Sequence, residues 1–101
     1  MRVQVEFTLI PMGGSHHISK EIALCEKILQ DHGLKTELHA LGTNIEGEFS
    51  EICKAIEECH RQVHQSGRVR IYSILKIVSS LEGESSFEEK VKHVEERLKA
   101  L

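Results

Sequence analysis

The hydrophobic residues of this chain recur with two different periods, and the order in which these periods alternate restricts the fold more than any other feature. Residues 3–9 are apolar at every second position, which is the pattern of a β-strand with one buried face and one polar face. This strand is predicted to end at Pro11, the only proline. The spacing then becomes that of an α-helix, with Ser19 as the predicted N-cap and Gly33 as the glycine that ends the helix.

The same two periods continue through the middle of the chain. Residues 34–40 alternate like a second strand, and residues 42–47 follow at once, so these two segments are predicted to form a β-hairpin. A second helical pattern begins at Phe49 and is predicted to stop at Gly67.

The fourth predicted strand, residues 68–80, is largely apolar on both faces. Such a strand is typical of one that is covered on both sides. Tyr72 and Ile74 lie on its outer face and are too apolar for a surface in free contact with water. Ser86 and Glu89 then have the spacing of a capping box, which predicts a third helix.

The predicted elements follow the order β-α-β-β-α-β, with an added C-terminal helix. With right-handed crossovers, this order gives a four-stranded antiparallel sheet with both main helices on one face, which is a ferredoxin-like α+β fold. A chain of 101 residues suffices for one such domain, so residues 1–101 are predicted to form a single domain. The third helix or another subunit is expected to cover part of the second sheet face.

Composition and charge argue against several classes of protein. The formal charge of −3 disfavours a nucleic-acid-binding protein, because phosphate binding depends on a dense basic face. No apolar run is long enough to cross a bilayer, and the N-terminus lacks the apolar core of a signal peptide. The expected location is therefore the cytoplasm, without a membrane partner.

The cysteines and histidines do not show the spacing of a metal site. Cys25, Cys53 and Cys59 include no CxxC pair and are predicted to be free thiols. His60 and His64 are four residues apart and could share a metal on one helical face. Because no third ligand follows at a local spacing, we expect them to lie on a solvated face, and we expect neither a metal nor a resident cofactor.

The segment 42–47 reads Gly-Thr-Asn-Ile-Glu-Gly. In an extended strand, Thr43 and Ile45 lie on one side, and Asn44 and Glu46 lie on the other. One interpretation is a short strand with a turn at each glycine. The other is the polar edge of a pocket that binds a small cationic ligand.

With these motifs in place, the chain resembles the thiamine-binding protein family of small ferredoxin-like proteins. The resemblance covers nearly the whole chain, and its most specific part is the Gly-Thr-x-x-Glu-Gly core with a later Lys-Ile. The residues that carry it are Pro11-Met12-Gly13, Ser19, Gly42-Thr43-Asn44-Ile45-Glu46-Gly47-Glu48, His60, Gly67, Arg70, Lys76-Ile77 and Lys90-Val91. The resemblance implies a homo-oligomer, dimeric or tetrameric, that binds thiamine or a related hydroxymethylpyrimidine compound at its subunit interfaces and has no catalytic residues.

The expected ligand-binding residues are Ser19, Thr43, Asn44, Glu46 and Lys76. Glu46 can accept a hydrogen bond from the amino group or the protonated ring nitrogen of an aminopyrimidine. Thr43 and Asn44 would complete the polar set, with Ser19 opposite. The alternative for Glu46 is an ion pair with Lys76 or Arg70 across the sheet.

The residues are also compatible with two other functions. One is a ligand-free oligomeric assembly module. The other is a small enzyme that uses acid–base residues on one sheet face. The candidate residues for that enzyme are Glu6, Glu37, Glu46, His39 and Lys76. No nucleophile–base pair has a recognisable spacing, so a binding protein rather than an enzyme is predicted.

Overall fold

The computed structural model describes all 101 residues, and its elements follow the predicted order. They are β1 Arg2–Met12, α1 Ser19–Asp31, β2 Lys35–His39, β3 Gly42–Glu48, α2 Phe49–Gln65, β4 Arg70–Val78 and α3 Phe87–Lys99. The four strands form one antiparallel sheet in the order β2-β3-β1-β4. The predicted ferredoxin-like α+β fold with an added C-terminal helix is therefore confirmed. None of the helices is long and apolar enough to cross a membrane.

The hydrophobic core lies between one face of the sheet and the two helices α1 and α2. β1 contributes every second residue from Val3 to Leu9, as its alternation predicts. α2 contributes Ile52, Ala55 and Val63, which helical spacing places on one side. Burial of these side chains stabilises the domain by roughly 1.5–3 kcal/mol for each large apolar residue.

Glycines end both main helices in the way that the sequence predicts. Gly33 and Gly67 have φ angles of +73° and +115°, the left-handed region that glycine adopts without strain. After α1, the Leu34 N–H donates to the carbonyl of Leu29 at 3.3 Å. This hydrogen bond and the one from the Gly33 N–H to Gln30 form a Schellman motif, which turns the chain sharply into β2.

Two predicted boundaries are wrong. Pro11 does not end β1 but lies within it, paired with Ile71 of β4. The pairing of β1 with β3 has already stopped at Phe7, so β1 has a neighbour on one side only at Pro11. A strand with one free edge tolerates a residue without an N–H group. Ser19 is the first residue of α1 rather than its N-cap, since the N-cap is Ile18.

The two glycines of β3 serve close packing rather than bends. Both lie inside the strand, and neither has a positive φ angle. A Cβ atom on Gly42 would lie 2.9 Å from the carbonyl oxygen of Phe7, and one on Gly47 would lie 2.7 Å from Cδ2 of Leu34. The strand interpretation of residues 42–47 is confirmed. The turn expected at Gly42 lies directly before it, at residues 40–41, whereas no turn is seen at Gly47.

The second face of the sheet, which we call the open face, has little cover within one chain. It carries Gln4, Glu6, Thr8, Lys35, Glu37, His39, Asn44, Glu46, Tyr72, Ile74, Lys76 and Val78, as the strand registers show. Tyr72 is 55% exposed and Ile74 is 46% exposed. Within a single chain the outer side of β4 is therefore largely uncovered, and its cover by another subunit stays a prediction.

The third helix covers only one corner of the open face. Gln4 is buried there, since its amide donates to the carbonyl of Ser85 at 2.8 Å and accepts from Lys90 Nζ at 2.6 Å. Ser86 accepts from the Glu89 N–H at 3.1 Å, so Ser86 is the N-cap of α3 as predicted. The Glu89 carboxylate accepts from the Ser86 hydroxyl at 3.2 Å. No residue of α3 is buried. The apolar residues along α3 are thus available to another surface.

A histidine–serine hydrogen bond joins α2 to β4. His60 Nε2 lies 2.5 Å from Ser73 Oγ, and both side chains are half-buried. Burial lowers the pKa of His60 below its ordinary value of 6.5, and the nearby charge of His64 acts in the same direction. Neutral His60 is therefore the form that the folded protein prefers.

We expect stability to decrease as the pH falls through the range in which His60 titrates. His60 takes up a proton near pH 6.5 in the unfolded chain but only at lower pH in the folded chain. The contribution of neutral His60 to the free energy of unfolding is therefore fully present above pH 6.5 and decreases below it. Each unit of pKa difference is worth about 1.4 kcal/mol. Urea unfolding from about pH 7.5 to about pH 5 should show this decrease, and His60→Gln should remove most of it.

The carboxylates provide the internal comparison for this experiment. The pKa values of Glu21, Glu58 and Glu88 are lowered from 4.5. Their contributions to the free energy of unfolding are therefore lost only at a pH below the range in which His60 titrates. An equal decrease in the wild type and in His60→Gln would show that another group is responsible.

Candidate ligand-binding site

A cavity of about 900 Å³ lies between α1, the C-terminal half of β1 and the turn that joins β2 to β3. We call it the α1 cavity. It exists because the β1–β3 pairing ends at Phe7 and Thr43, so the rest of β1 has no partner on that side. Its volume lies within the range of sites that bind small organic molecules.

The walls of the α1 cavity are mainly apolar. Ten of its sixteen lining residues are hydrophobic, and Phe7, Ile22 and Leu41 are examples from three different elements. Phe7 is the aromatic residue among them. Such a wall can pack against a flat ring, and the few polar groups would then determine its orientation.

The polar centre of the cavity is a hydrogen bond between Thr43 and Glu26. The Thr43 hydroxyl donates to Glu26 Oε2 at 2.8 Å, and Thr43 is only 4% exposed. Thr43 faces the helices because alternate residues of β3 do so. A carboxylate held in this way can still accept hydrogen bonds from a ligand amino group or a protonated ring nitrogen.

Sequence reasoning missed Glu26. It lies four residues after Ile22 and three before Leu29, so it falls on the buried side of α1. A carboxylate on the buried side of a helix is unusual, and this position is the sequence signal that could have identified Glu26 as a candidate site residue. Its partner Thr43 is 17 residues away and on another element, so helical spacing alone could not identify the pair.

Ser19 lines the same cavity as Thr43. It lies in the first turn of α1 and makes no capping hydrogen bond, because the chain does not use it as the N-cap. The structure thus brings together two of the five expected ligand-binding residues.

The other three expected residues lie on the opposite side of the sheet. Asn44 Nδ2 lies 3.5 Å from Glu37 Oε1, and Lys76 Nζ lies 3.7 Å from Glu6 Oε1. Glu46 shares this open face, because it alternates with Ile45 along β3. None of these three residues lines the α1 cavity, although Thr8 and His39 of the open face do at the edge of the sheet.

Glu46 forms an ion pair, but with a different partner from the expected one. Its Oε1 lies 3.1 Å from Arg2 Nη2, and its Oε2 accepts from Gln4 at 3.3 Å. The register places Gln4 directly opposite Glu46, whereas Lys76 is opposite Glu6. The prediction of a pair with Lys76 or Arg70 is wrong for this reason. Glu46 also borders a second, smaller cavity of about 490 Å³.

The residues proposed for acid–base chemistry come together only in part. Glu6 lies 3.3 Å from His39 Nε2 and 3.7 Å from Lys76 Nζ. Glu46 is held by Arg2 instead. The His60–Ser73 pair lines neither of the two cavities. Neither of these two cavities joins all of these groups into one site.

The remaining side-chain predictions concern metals and thiols. No group of three or more histidine, cysteine or acidic residues is arranged to hold a metal ion. All three cysteines are free, with Cys25 and Cys59 buried and Cys53 exposed. The free-thiol prediction is confirmed in this structure.

Comparisons with known proteins agree with the fold and the motifs. A UPF0045 protein of Synechocystis is 38% identical over 95 residues, which cover 94% of this chain and 78% of the relative. A UPF0045 protein of Methanocaldococcus jannaschii is 34% identical over 95 residues, with 94% of each chain covered.

Solved structures extend the comparison to three dimensions. The crystal structure of the M. jannaschii protein superimposes with a TM-score of 0.83 and covers 94% of this chain and 97% of that one. A Thermotoga maritima protein named for a proposed part in thiamine biosynthesis or salvage has a TM-score of 0.78 at 26% identity, with 93% and 99% of the two chains covered. The sequence profile described as "Thiamine-binding protein" matches residues 5–95, so the chain belongs to the thiamine-binding protein family.

Proposed function

We propose that this protein binds thiamine or a related hydroxymethylpyrimidine compound in the α1 cavity, through Ser19, Glu26 and Thr43. The observation that carries the proposal is the Thr43–Glu26 hydrogen bond in the wall of an otherwise apolar cavity. Membership of the thiamine-binding protein family supports this choice of ligand.

The chemistry of the ligand matches the groups that line the cavity. An aminopyrimidine has a flat apolar face and an edge with hydrogen-bond donors and acceptors. The face would pack against the side chains around Phe7, and the amino group would donate to Glu26. Thiamine also carries a cationic thiazolium ring, which a carboxylate attracts in a partly dry site. Ser19, in the first turn of α1, would form a hydrogen bond with a further polar group of the ligand.

We also propose that the open face is buried against a second copy of the chain. Asn44, Glu46 and Lys76 would then lie at or near a subunit interface, which is the alternative location for the ligand that the Glu46→Gln variant tests. The support is the set of exposed apolar residues on that face, which includes Tyr72 and Ile74. If no small molecule binds, the same surface supports the alternative function of an oligomeric assembly module.

Glu26→Gln should weaken thiamine binding, and Glu46→Gln is its matched control on the opposite face. A charged hydrogen bond is worth about 1.5–3 kcal/mol, so we expect Glu26→Gln to reduce affinity roughly tenfold to a hundredfold. Glu46→Gln loses only an ion pair worth about 0–1 kcal/mol and should retain affinity. Calorimetric titration with thiamine and with hydroxymethylpyrimidine measures both effects.

The reverse result would move the site. If Glu46→Gln loses affinity and Glu26→Gln retains it, the ligand binds on the open face, where the sequence motif alone placed it. Thermal melts of the two unliganded variants check that neither loss of binding arises from unfolding.

Tyr72→Asp and Ile74→Asp should dissociate the proposed oligomer. Each would place an unpaired charge in the interface, which costs several kcal/mol. Val69→Asp is the control, since Val69 is 92% exposed and lies just before β4. Sedimentation velocity at micromolar concentration should show an oligomer for the wild type and Val69→Asp and smaller species for the other two. A monomeric wild type would remove the proposal.

A further inference from the structure

Arg68 ties the loop before α1 to the first turn of that helix. Its guanidinium donates from Nε to Glu21 Oε1 at 3.1 Å, from Nη2 to the carbonyl of Ser15 at 2.9 Å and from Nη1 to the carbonyl of Gly13. The side chains of Arg68 and Glu21 are only 12% and 15% exposed. One largely buried arginine therefore holds three separate points around the start of α1.

The backbone of Arg68 is itself held by the end of α2. It directly follows Gly67, and its N–H donates to the carbonyl of Val63 at 3.4 Å as part of the turn that ends the helix. Its carbonyl accepts from His64 Nδ1 at 2.7 Å. The guanidinium thus extends from a fixed position toward the loop.

The loop is shaped around this side chain. Gly13 and Gly14 have φ angles of +77° and +66°, which other residues adopt only with strain. A Cβ atom on Gly14 would lie 3.2 Å from Arg68 Nη1. The two glycines therefore allow the backbone to pass close to the guanidinium.

The local sequence does not fix the start of α1. The N-cap, Ile18, has no side-chain acceptor for the free N–H groups of the first turn. Glu21 lies in that turn, where a negative charge is favourable. A hydrogen bond to its own backbone N–H and the contact with Arg68 hold the pKa of Glu21 below its ordinary value. A guanidinium has no acceptor and cannot cap these N–H groups, but the ion pair with Arg68 anchors the first turn of α1 to the loop and to the end of α2.

We propose that Arg68 is a positioning residue for the α1 cavity, because it fixes the turn that carries Ile18, Ser19 and Ile22 into the cavity wall. Arg68 does not line the cavity itself, whereas those three residues do. Its influence on a ligand must therefore pass through the start of α1. The inference rests on the proposed function of the cavity.

The test compares Arg68→Gln and Arg68→Lys with Arg61→Gln. Arg61 is a matched control, since it pairs with Glu57 and Glu58 on the exposed side of α2. Thiamine is titrated into each protein by calorimetry, well below its melting temperature. We expect Arg68→Gln to weaken binding roughly tenfold, equal to about 1.4 kcal/mol. Arg68→Lys should recover part of the loss, because one ammonium group cannot reach three diverging acceptors. Arg61→Gln should bind like the wild type.

Hydrogen exchange of the unliganded proteins gives a second measurement that does not depend on a ligand. Amides of residues 13–22 should exchange faster in Arg68→Gln than in the wild type, and those of the sheet should not. If Arg68→Gln does not fold, hydrogen exchange and thiamine affinity are instead compared between the wild type and the variants Arg68→Lys and Gly14→Ala.

The possible results separate the two proposals. Unchanged exchange in residues 13–22 would overturn the role of Arg68, and so would equal thiamine affinity of the wild type and Arg68→Gln. Absence of thiamine binding in the wild type would instead overturn the proposed function. The exchange data would still decide whether Arg68 holds the start of α1.

Discussion

The antiparallel pairing of β1 with β3 determines on which face of the sheet the candidate residues of these two strands lie. Val5 is opposite Ile45 and Phe7 is opposite Thr43, so these residues face the helices. The pairing stops there, and the space beside the rest of β1 becomes the α1 cavity. The same register turns Glu46 to the other face, next to Gln4. A shift by one residue would exchange the two faces, since side chains alternate along a strand.

The carboxylate of Glu26 needs hydrogen-bond donors, because it lies in a mainly apolar cavity wall. A carboxylate among apolar side chains is costly unless hydrogen bonds compensate for the water it loses. Thr43 supplies one such bond to Glu26, and the open side of the cavity leaves room for another. Under the proposed function, a cationic or amino-bearing ligand would supply a further hydrogen bond to Glu26.

Much of the fold could be predicted from the sequence because its determinants are local. The alternation in β1, the glycines after α1 and α2, and the N-cap at Ser86 each act within a few residues. The site could be predicted only in part. Thr43 was identified from its motif, but Glu26 and Arg68 act on partners 17 and 47 residues away. Such contacts depend on how elements pack. The wrong ion-pair partner of Glu46 has the same origin, since strand register decides it.

We propose that the ligand lies in the α1 cavity and not on the open face. A crystal structure of the protein with bound thiamine tests this claim most directly. We expect the pyrimidine ring to lie inside the cavity, with a nitrogen atom within hydrogen-bond distance of the Glu26 carboxylate and with the Thr43–Glu26 hydrogen bond retained. A pyrimidine ring against Glu46 on the open face, with the α1 cavity empty, would contradict it.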